Sequence, residues 1–372
     1  MAGIYVHIPF CAKRCIYCGF FSTVRQGEAA RYVSTICREL ELRKDYLGGA
    51  PVRTLYFGGG TPSRLTPEQI DRVLQTIRTI YGLDALEEFT VECNPDDITT
   101  GYVKALREIG VNRISMGVQS FSDSMLRFLG RRHTASQALD AVSSCREAGI
   151  DNISIDLMYG LPGQTLEMFR SDLEAAVSTG VQHISSYCLS YEEGSPLRRM
   201  LGAGQITPAT DDLCASMYDL MCVTLRKSGF EHYEISNFCK PGFHSRHNSS
   251  YWDSTPYMGV GAAAHSYNGL ERRWAPSDLD AYMQGVENND LNFEVEHLSA
   301  TDLYNEKLML SLRTSRGLNL STLITSDRLS VLHSAQRLLS NGSLLLENNT
   351  LRIPESHMFI SDSVISALFK DQ

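Results

Sequence analysis

The sequence predicts an α/β protein: a parallel sheet curled into a partial (β/α)6, TIM-like barrel, followed by a small winged-helix-like α+β domain. Three observations predict this fold. Short β-branched runs alternate with amphipathic stretches over the first two-thirds of the chain, as in repeated strand–helix units. Helix start and stop signals lie between those runs. Near residue 230 the alternation ends and the composition changes.

Local signals support the individual barrel elements. Thr66 and Gln69 form a capping box, and Pro67 occupies the first helical position between them. Gly110 and Gly149 stand just past helix ends, where a left-handed residue is favoured. Functional residues of such barrels gather at the carboxyl ends of the strands. The predicted strands cover residues 4–8, 54–57, 89–92, 113–117, 153–158 and 183–189, and the predicted helices cover 28–46, 67–80, 102–109, 135–148 and 166–179.

The chain divides into three predicted regions. Residues 1–236 form the barrel, 237–296 connect it to the last region, and 297–372 form the C-terminal domain. Within the connection, residues 237–270 are rich in Gly, Ser, Asn and aromatic residues, which predicts a long functional loop. The C-terminal domain is predicted to contain helices at 301–312, 326–340 and 361–369 and strands at 344–346 and 351–353.

Charge and hydropathy exclude two classes of partner. A formal net charge of −9 and a pI near 5.6 argue against a nucleic-acid-binding protein, which would show a basic stripe. No apolar run approaches the roughly 20 residues of a membrane helix. The N-terminus leads directly into the first strand without a signal-peptide pattern. We therefore expect a cytoplasmic protein.

Three cysteines lie together directly after the first strand. Cys11, Cys15 and Cys18 are clustered, whereas the other seven are scattered singly and indicate small buried side chains. A structural zinc site uses four protein ligands, as does a closed iron–sulfur site. The next cysteine, Cys37, lies inside a predicted helix. Three thiolates on one loop therefore favour an iron–sulfur cluster over a zinc site. One iron of that cluster would be open to another ligand.

Further polar and glycine residues follow the later strands. The stretch 58–62, Gly-Gly-Gly-Thr-Pro, lets a backbone approach a ligand closely. Glu92, Gln119 and Asp156 each stand at or just past a strand end, and Arg131 adds a cation that can bind a carboxylate. Each of these features alone could equally be an ordinary turn or a loop cap. Together at one rim they indicate a binding site.

The Cys-x3-Cys-x2-Cys motif, with Tyr17 before its third cysteine, resembles the radical S-adenosylmethionine (SAM) superfamily. The resemblance implies a barrel of radical SAM type and a [4Fe–4S] cluster held by Cys11, Cys15 and Cys18. It also implies that SAM chelates the open iron and is cleaved to a 5′-deoxyadenosyl radical. The SAM contacts that it implies are Tyr5, Tyr17, Gly59, Gly60, Thr61, Glu92, Gln119, Arg131 and Asp156.

Within that superfamily the chain is similar to oxygen-independent coproporphyrinogen III oxidase and its relatives, above all the HemW heme-chaperone branch. Residues 5–11, 58–62, 117–121 and 156–162 carry the similarity, and the C-terminal domain resembles the HemN-type domain of those proteins. Two departures disfavour the oxidase. Its motif continues to a further cysteine where this chain has Phe20. The oxidase also has an extension ahead of the first strand, where this chain begins three residues before it.

One motif points toward heme. Residues 247–252, His-Asn-Ser-Ser-Tyr-Trp, resemble the chaperone branch's His-Asn-x-x-Tyr-Trp signature, which implies heme binding through His247. Imidazole is a common axial ligand, and aromatic side chains suit a flat macrocycle. The alternative is a loop histidine satisfied by a backbone hydrogen bond. His244 could be a second ligand or have no such role, and His265 is expected to pack beside the barrel mouth.

The leading hypothesis is a heme chaperone that binds the cluster, SAM and heme and transfers heme to hemoproteins. Three alternatives stay open: coproporphyrinogen III oxidase of porphyrin biosynthesis, a radical enzyme that opens heme or acts on another tetrapyrrole, and an iron–sulfur protein without radical chemistry. The resemblance implies heme, recipient hemoproteins such as those of the respiratory chain, and a reductant as partners. Catalysis, peripheral membrane association and homodimer formation stay open.

Overall fold

The computed structural model describes residues 1–370, which form two β-sheets and the helices around them. The main sheet has twelve strands: β1 Ala2–Ile8, β2 Val52–Gly59, β3 Glu88–Cys93, β4 Arg113–Gln119, β5 Ile153–Tyr159, β6 His183–Cys188, β7 Glu231–Glu234, β8 Asn237–Cys239, β9 Tyr257–Val260, β10 His265–Tyr267, β11 Glu271–Trp274 and β12 Glu294–His297. The second sheet contains β13 Leu318–Asn319, β14 Leu345–Glu347 and β15 Thr350–Arg352.

The helices flank these strands in chain order. They are α1 Ala29–Leu42, α2 Pro67–Tyr81, α3 Thr100–Glu108, α4 Asp123–Leu129, α5 Ala135–Glu147, α6 Leu166–Ser178, α7 Pro196–Gly202, α8 Asp211–Lys227, α9 Arg246–Trp252, α10 Leu279–Glu287, α11 Ala300–Leu312, α12 Thr325–Ser334, α13 Gln336–Ser340 and α14 Ser361–Ser366. None of these described helices is long and apolar enough to cross a membrane.

Strands β1 to β6 confirm the predicted α/β architecture. They pair in consecutive order, and every one of these pairings is parallel. The capping box of Thr66 and Gln69 begins α2 as predicted. The sheet is open rather than closed: its order runs from β12 at one edge to β7 at the other. The parallel strands therefore form a partial barrel whose carboxyl ends share one rim.

The two faces of the parallel strands differ in character. On β1, Ile4, Val6 and Ile8 are fully buried in the hydrophobic core, whereas the alternate residue Tyr5 stacks on Tyr56 of β2. This alternation follows the two-residue period of a strand. Apolar side chains thus face the helices, and polar and aromatic ones face the barrel interior.

The prediction of a long loop over residues 237–270 is wrong. β9 pairs in parallel with the free edge of β1, from Gly3–Tyr257 to Val6–Val260, and β10, β11 and β12 extend the sheet from it. These strands have three or four residues each, too few to show a clear periodicity. The edge of β1 selects the conformation of β9 through hydrogen bonding across more than 250 residues of sequence, and β10 to β12 then pair in order from β9.

A buried ion pair connects this added segment to the barrel. Arg43 donates to Glu39 at 2.8 Å and to the carbonyl of Gly259 at 2.6 Å. Glu39 accepts from the Gly261 amide at 2.9 Å and from the Tyr282 hydroxyl at 2.6 Å. Both charged side chains are almost completely buried. α1 therefore holds β9 and α10 through satisfied charges rather than through apolar contact alone.

Helix α8 was not predicted from the sequence. Its 17 residues bury a stripe made largely of cysteine, methionine and tyrosine, whose apolar signal is weaker than that of leucine or isoleucine. The short helices α4 and α7 were missed as well.

The C-terminal region has the predicted mixture of helices and short strands. The predicted helix over 326–340 is divided into α12 and α13, which meet at Ala335. An additional strand, β13, pairs with β15. The domain boundaries stay a prediction, and residues 371–372 of the predicted last domain lie outside the described residues.

Candidate functional site

The loop carrying the three clustered cysteines is closed at its base by backbone hydrogen bonds. The amide of Cys11 donates to the carbonyl of Thr23 at 2.8 Å, and the amide of Thr23 donates to the carbonyl of Pro9 at 2.7 Å. Cys11, Cys15 and Cys18 are partly exposed free thiols on this loop. We call the loop over residues 11–18 the cysteine cradle.

The surroundings of the sulfur atoms fit three thiolate ligands. Thr61 Oγ1 lies 3.4 Å from Cys11 Sγ, and Arg131 Nη1 donates to Cys15 Sγ at 3.5 Å. Burial raises the pKa of the Cys11 and Cys18 thiols, and the neighbouring cysteines raise it further. A bound cation would reverse this effect, because metal coordination deprotonates thiols. Cys37 points instead toward the Arg72 carbonyl of α2, at 3.9 Å, and supplies no fourth ligand.

The glycine turn, residues 58–62 at the end of β2, comes very close to other parts of the chain. A Cβ atom on Gly59, whose φ is +109°, would lie 2.5 Å from the His7 ring, and one on Gly60 would lie 2.7 Å from the backbone of Pro9. The Gly59 amide donates to Glu92 Oε2 at 3.2 Å. Only glycine fits both positions, so the turn packs closely against β1 and the residue that follows it.

Two carboxyl groups face the barrel interior near this turn. Burial raises the pKa of Glu92 to about 7, and the nearby charge of Asp156 acts in the same direction. Burial also raises the pKa of Asp156 to about 6. Glu92 accepts a 2.6 Å hydrogen bond from Tyr56 and lies beside Tyr5, whose hydroxyl is 3.1 Å from His7 Nδ1. The carboxyl groups of Glu92 and Asp156 can therefore change protonation near neutral pH when a ligand enters.

Arg131 is the central cation of the rim. Its Nη2 donates to Asn94 Oδ1 at 2.7 Å and to the carbonyl of Gly117. Its Nε is buried without a hydrogen-bond partner among residues 1–370. An unsatisfied guanidinium nitrogen is costly, so this atom suits an anionic ligand group.

Asn94 was not predicted as a site residue. It connects Arg131 to the glycine turn, because its Nδ2 donates to Thr61 Oγ1 at 3.3 Å. Its position directly after β3 was the sequence signal that could have identified it, as for Glu92.

Gln119 and Tyr17 complete the predicted contact set. Gln119 ends β4 with a φ of +70°, an unusual conformation for a residue with a side chain and one often found at functional sites. Tyr17 packs against the cluster around Leu129 and lies close to Arg131 and Cys15. The predicted site residues at strand ends therefore gather at one rim with the cysteine cradle.

Phe20 extends from the loop just after the cysteine cradle. Its relative exposure is 70%, which is unusual for a large apolar side chain. Its side chain offers no ligand atom to a metal or a cluster.

His247 lies on α9 rather than on a loop. Its two ring nitrogens form hydrogen bonds with side chains rather than with backbone groups. Its Nδ1 is 2.8 Å from Thr54 Oγ1, its Nε2 is 2.8 Å from the Tyr251 hydroxyl, and its ring stacks on Tyr56 at 5.1 Å. Burial lowers its pKa to about 3, with the charge of Arg113 acting in the same direction. Heme ligation by His247 stays a prediction, and in this conformation it would require one of the two hydrogen bonds to break.

The two other histidines singled out in the sequence are accessible. His265 stacks on Trp274 at 5.6 Å and is exposed to solvent, and it lies close enough to His7 for their charges to interact. His244 has 42% side-chain exposure and lies 3.8 Å from a carboxylate oxygen of Glu231. Residues 237–270 thus contain one histidine whose ring nitrogens are both hydrogen-bonded, His247, and two solvent-accessible histidines, His244 and His265.

The fold and the cysteine cradle define the class of protein. Residues 5–176 match the family model described as the radical SAM superfamily, and this range contains all three cradle cysteines, the glycine turn and the polar strand ends. The structure is also similar to that of coproporphyrinogen III oxidase (HemN) from Escherichia coli, with a TM-score of 0.87 over 99% of this chain and 90% of that one. At 23% identity this similarity establishes the fold alone.

Two relatives narrow the class. The heme chaperone HemW of Lactococcus lactis is 38% identical over 84% of this chain and 82% of its own length. The heme chaperone HemW of Mycobacterium tuberculosis is 33% identical over 98% of this chain and 94% of its own. The chain belongs to the HemW family of radical SAM proteins.

Proposed function

We propose that this protein is a heme carrier that keeps a radical SAM cofactor site: it binds a [4Fe–4S] cluster, SAM and heme, and delivers heme to hemoproteins. The observation that carries the proposal is the similarity to proteins named heme chaperones over 84% and 98% of the chain. Phe20, exposed and without a ligand atom, supports a carrier over the oxidase.

The residues of the rim have separate proposed roles. Cys11, Cys15 and Cys18 would hold the cluster, and the glycine turn would bring backbone groups to the methionyl amino group of SAM. Glu92, Gln119, Arg131 and Asp156 orient SAM, with Tyr5, Tyr17 and Thr61 packed around it. When bound, the cluster and SAM supply one-electron chemistry. The chain itself positions these groups, and its buried interior limits the access of water.

The test is an anaerobic reconstitution followed by titration. The full chain is loaded with iron and sulfide, SAM is added, and hemin is titrated while the Soret band is followed. We expect saturable binding of one hemin per chain and transfer of that hemin to an apo-hemoprotein, measured as a spectral shift after the two proteins are separated.

The same sample decides between the alternatives. Coproporphyrinogen III is offered under reducing conditions, and the products are analysed by mass spectrometry. Conversion of its propionates to vinyl groups would replace the carrier with the oxidase. A linear tetrapyrrole formed from hemin would replace it with a heme-opening enzyme. Failure to bind hemin would refute the carrier function directly.

A further inference from the structure

Three side chains that commonly bind metal ions meet where the C-terminal region packs on the barrel. They are Cys222 of α8, His232 of β7 and Glu355, the first residue of a 3-10 turn over residues 355–360. One sulfur, one imidazole nitrogen and one carboxylate oxygen of this group all lie within 4.8 Å of one another. His232 and Glu355 are 123 residues apart in the chain, so only the fold brings the three together.

The spacing of these atoms suits ligands of a single ion. His232 Nδ1 lies 3.1 Å from Glu355 Oε1. Zinc binds nitrogen and oxygen ligands at about 2.0–2.2 Å, so that two of them on one tetrahedral ion lie about 3.3 Å apart. The Cys222 sulfur, within 4.8 Å of the other two atoms, needs only a small side-chain adjustment to complete the set.

Two of the three side chains are also held by outer partners. His232 Nε2 lies 3.4 Å from the carbonyl of Ile235, and the ring stacks on Phe238 at 4.2 Å. Arg226 pairs with Glu355 through Oε2, which leaves Oε1 facing His232. Histidines that ligate metals commonly donate their other N–H to a carbonyl, and ligating carboxylates are in turn hydrogen-bonded. The imidazole and the carboxylate are therefore oriented for an ion placed between them.

Burial and protonation are compatible with such an ion. The His232 side chain is 10% exposed, and burial lowers its pKa to about 4, so the imidazole is neutral and can bind a metal. Burial raises the pKa of Cys222 to about 12, and the charge of Arg226 opposes this shift. A bound cation would deprotonate the thiol and release its proton to water. Glu355 is 35% exposed, so an ion can enter from its side.

A second group offers the same types of ligand with less support. Glu231, Cys239 and His244 also lie within 4.8 Å of one another, and Glu231 pairs with Cys239 across β7 and β8. The side chains of Glu231 and His244 are 53% and 42% exposed, so water competes for both of them. This group therefore serves as the comparison for the first one.

We propose that Cys222, His232 and Glu355 form a zinc site with a fourth position open to water. Zinc accepts thiolate, imidazole and carboxylate ligands together, whereas calcium and magnesium prefer oxygen ligands. A structural zinc site uses four protein ligands, so an ion held by three can exchange or take a further ligand. The bound ion joins α8 and β7 to the C-terminal region. The site is independent of the proposed cluster, SAM and heme.

Zinc uptake by the full chain, with its cluster reconstituted so that the cradle cysteines are occupied, tests the site. The protein is dialysed against Zn²⁺ buffered by a chelator, and zinc and iron are counted by elemental analysis. We expect one zinc per chain. Cys222→Ser and Glu355→Gln should each lower the zinc affinity at least tenfold. Cys214→Ser, at another buried thiol of α8, and Cys239→Ser, in the second group, should bind zinc as the wild type does.

Cobalt separates ligation from a structural effect. In the full chain carrying Cys11→Ser, Cys15→Ser and Cys18→Ser, added Co²⁺ should give a thiolate-to-cobalt charge-transfer band, which requires a sulfur ligand. Adding Cys222→Ser should remove this band while the far-ultraviolet circular dichroism is unchanged. If Cys222→Ser unfolds the chain, the zinc affinity of Glu355→Gln, at a partly exposed position, decides instead.

Three results would overturn the site. They are a wild type that takes up no zinc, Cys222→Ser and Glu355→Gln variants that bind zinc with unchanged affinity, and a loss confined to Cys239→Ser, which would move the ion to the second group. None of these measurements uses hemin, so failure of the zinc site leaves the carrier function standing. Failure of hemin binding likewise leaves the zinc site standing.

Discussion

The rim of the parallel strands and the segment over residues 237–297 are assembled in different ways. At the rim, consecutive strands deliver their end residues side by side, so chain order alone brings Glu92 beside the turn after β2. The later segment depends on distant partners: His247 bonds to Thr54, 193 residues away, and Tyr282 to Glu39, 243 residues away. Local pattern therefore determines the first region, and long-range polar contacts determine the second.

The largest expected effect concerns the rim. Replacing Cys15 by serine should abolish the reconstituted cluster, because two thiolates remain where three are needed. The loss of the cluster is measured as the iron and sulfide content after anaerobic reconstitution. Cys188→Ser, at an exposed cysteine ending β6, is the control and should keep its full iron content. A cluster retained in Cys15→Ser would contradict the three-cysteine assignment.

The second effect concerns the ion pair that connects the two regions. Glu39→Ala should lower the free energy of unfolding by about 3–5 kcal/mol, because it leaves Arg43 charged and buried without its partner. Urea unfolding measures this change. Glu41→Ala, on the same helix but paired with Arg38 at the surface, should leave the unfolding midpoint nearly unchanged. Equal effects of the two variants would show that the buried pair does not hold the added segment.

The third effect is a pH dependence at the buried motif histidine. The pKa of His247 is about 3 in the fold, below the usual 6.5, so the unfolded chain binds a proton that the folded chain does not. Its contribution to stability is present above pH 6.5 and is lost as the pH falls toward 3. Wild-type stability relative to His247→Gln should therefore fall by about 2 kcal/mol between pH 7 and pH 5.

Urea unfolding at the two pH values measures this difference. Asn248→Ala, on the same helix and without a titratable side chain, is the control, and its difference from the wild type should not change with pH. A difference between wild type and His247→Gln that is independent of pH would mean that the imidazole is not held neutral in the fold.

The smallest effect is local. Thr66→Ala disrupts the capping box of α2 and should lower the free energy of unfolding by about 1 kcal/mol, because the Gln69 amide loses its partner. Thr79→Ala, at an exposed position of the same helix, should not destabilise the protein. Urea unfolding again provides the measurement. If Thr66→Ala lowered the free energy of unfolding as much as Glu39→Ala does, the contrast between local and long-range contributions to stability would be wrong.

The sequence by itself determined much of the barrel and its rim. Cys11, Cys15 and Cys18, the glycine turn and the residues at strand ends could be identified because strand period, helix caps and motif spacing are local properties. Consecutive parallel pairing then brings such residues together without further information. Asn94 follows the same rule and could have been included.

Only the tertiary structure decided the environment of the histidines. Nothing in the sequence shows how far His244, His247 and His265 are buried, yet the ring of His247 is hydrogen-bonded by Thr54 and Tyr251 while the other two are accessible. Likewise, the short strand β9 exists because β1 offers a free edge and α1 supplies Glu39 and Arg43. Burial and hydrogen-bond partners come from residues hundreds of positions apart, and no local pattern records them.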